Sequence, residues 1–164
     1  MSSWVADAGP LIFLAKLGRL ELLRDTQTAI LIPNAVMMEI RAKGDEACQF
    51  IEQAASDWLE VREVQNREAV SLLLADLDLG EAEVIALASD IEAEKVLLDD
   101  LDGRRFARAV GLSVVGTVGV LLAARLEGNL PSLKGELERL QTAGFWINET
   151  LLEEALKAAS EWDG

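Results

Sequence analysis

Apolar residues along this chain gather in short runs, each closed by an acid, a proline or a glycine, and the runs alternate with stretches at helical spacing. Val5-Ala6 leads into Asp7-Ala8-Gly9-Pro10. That predicts a strand ending at Asp7 and a helix opened by Pro10 at its first position and running to Gly18. Leu20 to Leu23 make a short turn. Ala29 to Ile32, closed by Pro33, predicts a second strand, and Asn34 caps a helix from Ala35 to about Lys43. Past Gly44-Asp45, Glu46 to Ala55 is helical. Leu59-Glu60-Val61 is a short edge strand, and Glu68 to Leu74 a helix.

The second half repeats the alternation. Leu79-Gly80-Glu81 starts a helix to about Glu92, with Val84, Ile85, Leu87 and Ala88 on its buried side. Lys95 to Leu98 is a strand that runs into Asp99-Asp100, and Asp102 caps a helix through Ala109. Ser113 to Val115 is a strand, and Thr117 caps a helix to Glu127. Two amphipathic helices follow, about Leu133 to Thr142 and Glu149 to Ser160. Their apolar stripes, Leu133, Leu137 and Leu140, then Leu151, Leu152, Ala155 and Leu156, are expected to pack on the core. The order predicts an α/β fold, a three-layer α/β/α sandwich around a central parallel sheet of four to five strands, joined by right-handed crossovers. With no Ser/Gly/Pro-rich linker and no internal repeat, residues 1–164 are expected to form a single domain.

Composition narrows the chemistry. Lys plus Arg number 15 and Asp plus Glu 29, a formal net charge of −14. The hydrophobic set makes up 51 %, which excludes a disordered acidic tail. There is no His, so Ser-His-Asp and Cys-His catalysis, His-ligated zinc and imidazole acid–base chemistry are all excluded. The single Cys48 excludes an internal disulfide and reads as a buried small hydrophobe. Any metal must be held by carboxylates, which selects hard cations such as Mg²⁺ or Mn²⁺. The uncharged stretch from Ala109 to Ala124 spans 16 residues, short of the ~20 a bilayer needs. The start carries no basic segment of a signal peptide, so a cytoplasmic protein is expected.

In an open parallel sheet, function collects at the carboxyl ends of the strands. Asp7 ends the first strand, and Asp99 and Asp100 end a later one. Glu39 lies on the helix after the second strand, with small Ala35 and Ala42 one turn away. Glu81 opens its helix, where the dipole favours a carboxylate. Several carboxylates on one rim repel one another by on the order of 4 kcal/mol per pair at ~4 Å and an effective dielectric near 20. A divalent cation relieves that repulsion and brings metal-assisted phosphodiester hydrolysis. Asp99 and Glu83 are candidate supporting acceptors. Among the scarce cations, Arg104 and Arg108 share a helix face after the Asp99-Asp100 turn. They are either phosphate contacts or partners for the surplus acids.

These pieces together resemble the PIN-domain nucleases, particularly the small prokaryotic toxin-type members. The matching segments are Val5-Ala6-Asp7-Ala8-Gly9-Pro10-Leu11-Ile12, Pro33-Asn34-Ala35-Val36-Met37-Met38-Glu39-Ile40, Leu79-Gly80-Glu81-Ala82-Glu83-Val84-Ile85-Ala86-Leu87-Ala88, and Val96-Leu97-Leu98-Asp99-Asp100. The block Gly111-Leu112-Ser113-Val114-Val115-Gly116-Thr117-Val118-Gly119 completes the set, and residues 133–160 look like a C-terminal helical extension. The resemblance implies Mg²⁺- or Mn²⁺-dependent cleavage of single-stranded RNA, with a toxin–antitoxin pair and a homodimer as further implications. Carried over by position, the site acids are Asp7, Glu39, Glu81, and Asp100 or Asp99. Arg104, Arg108 and Thr117 are candidate substrate contacts by their own positions. Gly9 stands where the family usually has Ser or Thr, and Glu81 where it more often has Asp. The charge of −14 runs against the basic footprint of most nucleic-acid binders and fits a basic antitoxin protein as partner. A non-catalytic PIN-fold interaction or nucleic-acid-binding module is the alternative.

Overall fold

The computed structural model describes residues 1–164. Five strands, β1 (Ser2–Ala6), β2 (Thr28–Pro33), β3 (Leu59–Arg62), β4 (Lys95–Leu97) and β5 (Val114–Val115), form one sheet in the order β3-β2-β1-β4-β5. Every pairing is parallel. The helices are α1 (Ala8–Lys16), α2 (Asn34–Lys43), α3 (Glu46–Ala55), α4 (Arg67–Leu73), α5 (Leu79–Asp90), α6 (Leu101–Ala109), α7 (Thr117–Leu126), α8 (Leu133–Thr142) and α9 (Glu149–Ala158), with a 3₁₀ turn at Leu20–Leu23. The expected α/β architecture with its parallel sheet is the one found.

Strand order sets the position of any site. From β1 the chain moves outward to β2 and β3, then returns to lay β4 on the other side of β1. Where the direction of winding reverses, successive crossovers diverge to opposite faces and leave a crevice at the strands' carboxyl ends. Asp7 follows β1 directly and Asp99 comes just after β4. The Asp7 N–H donates to the Leu97 carbonyl at 2.9 Å, so the two strands end level. Val5, Ala6, Val96 and Leu97 are fully buried, as strands covered on both faces must be. Helix α5 lies against β1, β2 and β4. Its whole length from Gly80 to Ala88 is buried, so the two acids it carries, Glu81 and Glu83, are inside the protein.

Five helix starts differ from expectation, each one or two residues earlier; α4 begins at Arg67 in place of Glu68, and the other four follow strand exits. Helix α1 begins at Ala8 with Asp7 at the cap position, and Pro10 is its third residue. Proline is tolerated there because first-turn N–H groups have no partner within the helix. Helix α2 begins at Asn34 itself, with Pro33 at the cap position and no side-chain cap. The cap of α6 is Asp100, whose Oδ2 accepts from the Gly103 N–H at 2.9 Å; Asp102 is exposed in the first turn. Helix α7 begins at Thr117 with Gly116 at the cap position. In each of these four the last extended residue of the strand exit already serves as the cap.

The C-terminal helices join the same core. Leu133, Leu137, Leu140, Ala155 and Leu156 are buried in it, while Leu151 stays 39 % exposed. Phe145 meets Phe13 of α1 edge-on at 5.1 Å. Beyond α9, Glu161 folds back over the start of α8. It accepts from the Leu133 and Lys134 N–H groups, the Ser132 hydroxyl and Arg125 Nε at 2.8–3.1 Å. Burial pushes its carboxyl up, but these bonds outweigh burial and hold it below its ordinary value. A depressed carboxyl contributes stability that is full above its unfolded value and lost as pH falls through the folded one. Glu161→Ala is therefore expected to cost about 2 kcal/mol at pH 7 and nothing below the folded value, as urea denaturation at both pH values would measure.

Candidate active site

Three carboxylates converge over one glycine. A Cβ placed on Gly80 would lie 3.2 Å from Glu39 Oε1, 3.6 Å from Asp7 Oδ1 and 3.6 Å from Asp78 Oδ1. Asp7 comes from the end of β1, Glu39 from the exposed side of α2, and Asp78 from the cap of α5. The space beside Glu39 is opened by this glycine on the neighbouring helix, not by Ala35 and Ala42 of its own. Asp78 escaped the sequence reading. Its signal was the spacing Asp78-x-x-Glu81, a capping box. Asp78 Oδ1 accepts from the Glu81 N–H at 2.8 Å, and Glu81 Oε1 from the Asp78 N–H at 3.3 Å.

The second group lies beside Gly103 of α6. A Cβ on Gly103 would fall 2.8 Å from Glu81 Oε2 and 3.5 Å from Asp100 Oδ2, so the start of α6 brings Asp100 to Glu81. Glu81 is only 8 % exposed, and its Oε2 is buried with no hydrogen-bond partner. Asp99 is committed elsewhere. It accepts from the Thr117 N–H at 2.8 Å and from the Thr117 hydroxyl at 2.5 Å, tying β4 to the start of α7. Thr117 is fully buried, so its hydroxyl serves Asp99 and is not displayed to a substrate. Arg104 also turns inward, donating from Nη1 to the Leu98 carbonyl at 2.9 Å beside Asp99. Of the two arginines expected to face outward, Arg108 alone is exposed.

Charge is held here at a cost. Burial pushes the Asp7 carboxyl up to about 7, and Glu39, Asp78 and Asp99 add to the rise. Burial, and after it the neighbouring Asp100 carboxyl, push Glu81 up to about 8. Burial followed by Asp78 raises Glu39, against the pull of Lys43. Burial raises Asp99 too, opposed by Thr117 and Arg104. Glu83, expected as a supporting acceptor at the rim, instead joins helices: Oε1 accepts from the Ala35 N–H at 3.0 Å and Oε2 from Arg67 Nη1 at 2.7 Å.

No three of these side chains are already closed around a common point. The donor set is nonetheless that of a hard divalent cation: oxygen only, several carboxylates whose ionised forms are disfavoured, and one buried oxygen, Glu81 Oε2, with nothing to bind. Both groups sit at the strand ends where winding reverses.

A family model described as a PIN domain matches residues 3–161. No curated protein matches the chain. No helix is long and apolar enough to cross a membrane. The match spans nearly the whole chain, and the α/β fold with its parallel sheet is consistent with it: the chain belongs to the PIN-domain family.

Proposed function

We propose that this protein is a Mg²⁺- or Mn²⁺-dependent ribonuclease that hydrolyses phosphodiester bonds of single-stranded RNA in the cytoplasm. The observation that carries the proposal is the gathering of Asp7 and Glu39 beside Gly80 and of Glu81 and Asp100 beside Gly103, at the start of α5 and α6, where burial disfavours the ionised forms of Asp7 and Glu81. These four residues would hold the cation, which would supply Lewis acidity for hydrolysis at phosphorus. Asp78 fixes the backbone of Glu81 through the capping box and faces Asp7 and Glu39 across Gly80. Asp99, bound by Thr117, fixes the exit of β4 and so the approach of Asp100 to Glu81. Membership of a nuclease family supports the reaction class.

A mixed pool of short single-stranded RNA, incubated with Mn²⁺ or with a chelator, tests this. Cleavage with Mn²⁺ alone is expected. No cleavage, together with no thermal shift at millimolar Mn²⁺, replaces the enzyme by a non-catalytic module on the same fold. Gly103→Ala is expected to cut cleavage at least ~10-fold with Tm little changed, because its Cβ displaces Glu81 Oε2.

The protein's acidity shapes how it meets RNA and partners. With Arg104 turned inward, Arg108 is the phosphate contact that α6 offers. Arg108→Glu is expected to weaken RNA binding and to reduce the slope of log K against log salt by about 0.7, measured by fluorescence titration. The surplus acid outside the site fits a basic antitoxin protein, with this chain as the toxin of the pair. A homodimer is part of the same proposal, and sedimentation reads it.

A further inference from the structure

Helix α2, which carries Glu39, lacks the usual means of holding its own start. Pro33 stands at the cap position, where it has no side-chain acceptor to offer, and Asn34 makes no cap bond. Open N–H groups in a first turn that is turned into the protein need a partner. Here the partner comes from another helix. Glu83 of α5 is 4 % exposed, and its Oε1 accepts from the Ala35 N–H at 3.0 Å. Its Oε2 accepts from Arg67 Nη1, the first residue of α4, at 2.7 Å. Both oxygens of a buried carboxylate are therefore used, and three helices are fixed to one another through them.

The placement of this joint bears on the site. Along α2, Ala35 and Glu39 are one turn apart and share a face. Ala35 meets Glu83 of α5, and Glu39 meets Gly80 of α5, so the two helices touch at two points and the first sets the second. On α5 the two acids point to different tasks: Glu81 toward Asp100, Glu83 toward α2. We propose that Glu83, anchored by Arg67, is the positioning residue for Glu39: it caps α2 from outside and thereby holds the Glu39 carboxylate over Gly80, opposite Asp7. This rests on the proposed cation site. It assigns work to a buried charge that the reaction itself does not use. It also accounts for an acid standing two residues after Glu81 in a helix segment whose other residues from Gly80 to Ala88 are apolar and buried.

The test compares four proteins: the parent, Glu83→Ala, Glu83→Gln and, as a control for lost stability, Glu136→Ala, which removes a buried carboxylate on α8. Mn²⁺ affinity is read by the electron paramagnetic resonance signal of the free ion, and the position of Glu39 by crystal structures. Glu83→Ala is expected to weaken Mn²⁺ binding by about 10–100-fold, the usual cost of losing an outer support of a metal site, and to move Glu39 away from Gly80. Glu83→Gln keeps an acceptor for the Ala35 N–H and is expected to stay within about threefold of the parent. Glu136→Ala is expected to unfold at lower temperature and yet bind Mn²⁺ as the parent does. Parent-like Mn²⁺ affinity in Glu83→Ala, or an equal loss in Glu136→Ala, overturns the proposal. If the parent binds no Mn²⁺, the cation site falls by itself and the crystal structures decide: Glu39 displaced in Glu83→Ala upholds the positioning role, and Glu39 unmoved overturns it.

Discussion

Asp7→Asn is expected to abolish RNA cleavage and, in the same protein without metal, to raise stability above pH 7. The two effects have one cause. Burial, with Glu39, Asp78 and Asp99 nearby, lifts the Asp7 carboxyl from its ordinary 3.8 to about 7. Between those values the folded chain keeps a proton that the unfolded chain has lost. Stability therefore falls as pH rises through that window and reaches its low plateau above 7. An amide at this position carries no charge to bury. The hydrogen bond from the Ala8 N–H partly opposes the rise, and an asparagine oxygen can still accept it. At 1.36 kcal/mol per pKa unit, the variant is expected to gain on the order of 2–4 kcal/mol at pH 8 and nothing below pH 4, read by urea denaturation at the two pH values. Unchanged cleavage in Asp7→Asn removes this residue from the site. Equal stability of the two proteins at pH 8 removes the charge strain.

Glu136→Ala is expected to be the most damaging single substitution outside the hydrophobic core. Glu136 is 5 % exposed and sits between two guanidinium groups. Arg19 Nη2 donates to it at 2.8 Å, and Arg139 Nη1 at 3.0 and 3.1 Å. Arg139 Nη2 continues to the Leu17 carbonyl at 2.8 Å, closing the end of α1. The joint thus fastens α8 to the helix whose other end carries Asp7. Without the carboxylate, two cations face each other and Arg19 Nε, already buried without a partner, is joined by a second unpaired donor. A loss of about 2–4 kcal/mol is expected, below the full value for a wholly buried pair because both arginines reach solvent. Thermal unfolding measures it; a change under about 0.5 kcal/mol would show that the arginines find other acceptors.

The sheet was legible because parallel strands leave little choice of composition. Ala29 to Ile32 and Lys95 to Leu98 are short apolar runs with clear stops, and the structure places strands there with ends shifted by a residue or so. The helix starts were read less well, for a local reason. Asn34, Asp102 and Thr117 are all good cap residues by type, but the strand exits reach extended geometry earlier, and Pro33, Asp100 and Gly116 occupy the cap positions. At the candidate site, Asp7, Glu81 and Asp100 could be picked out as acids at strand ends and helix starts, and Glu39 as an acid on the helix after the second strand. Their division into one group beside Gly80 and another beside Gly103 could not be read, since it depends on these glycines admitting carboxylates from other elements. Asp78 was passed over because its helix was read from Leu79 onward. Arg104 was ambiguous by nature: the same spacing serves a phosphate contact or an inward hydrogen bond, and only the approach of Leu98 decides.

The charge of −14 also looks different with the site in view. Part of it is structural, spent inside on Glu83 and Glu136 and at the clasp of Glu161. Part is gathered where β1 and β4 end, in carboxyl groups whose ionisation burial pushes up toward neutrality. Only the rest is plain surface charge opposing RNA.

The central claim, that these acids form a divalent-cation site, is tested most directly by a crystal of the protein soaked in Mn²⁺ and measured at the manganese absorption edge. The account predicts an anomalous peak among Asp7, Glu39, Glu81 and Asp100, absent from the Asp7→Asn crystal soaked in parallel. A parent crystal with no peak there, or with manganese bound only at other carboxylates, would contradict it.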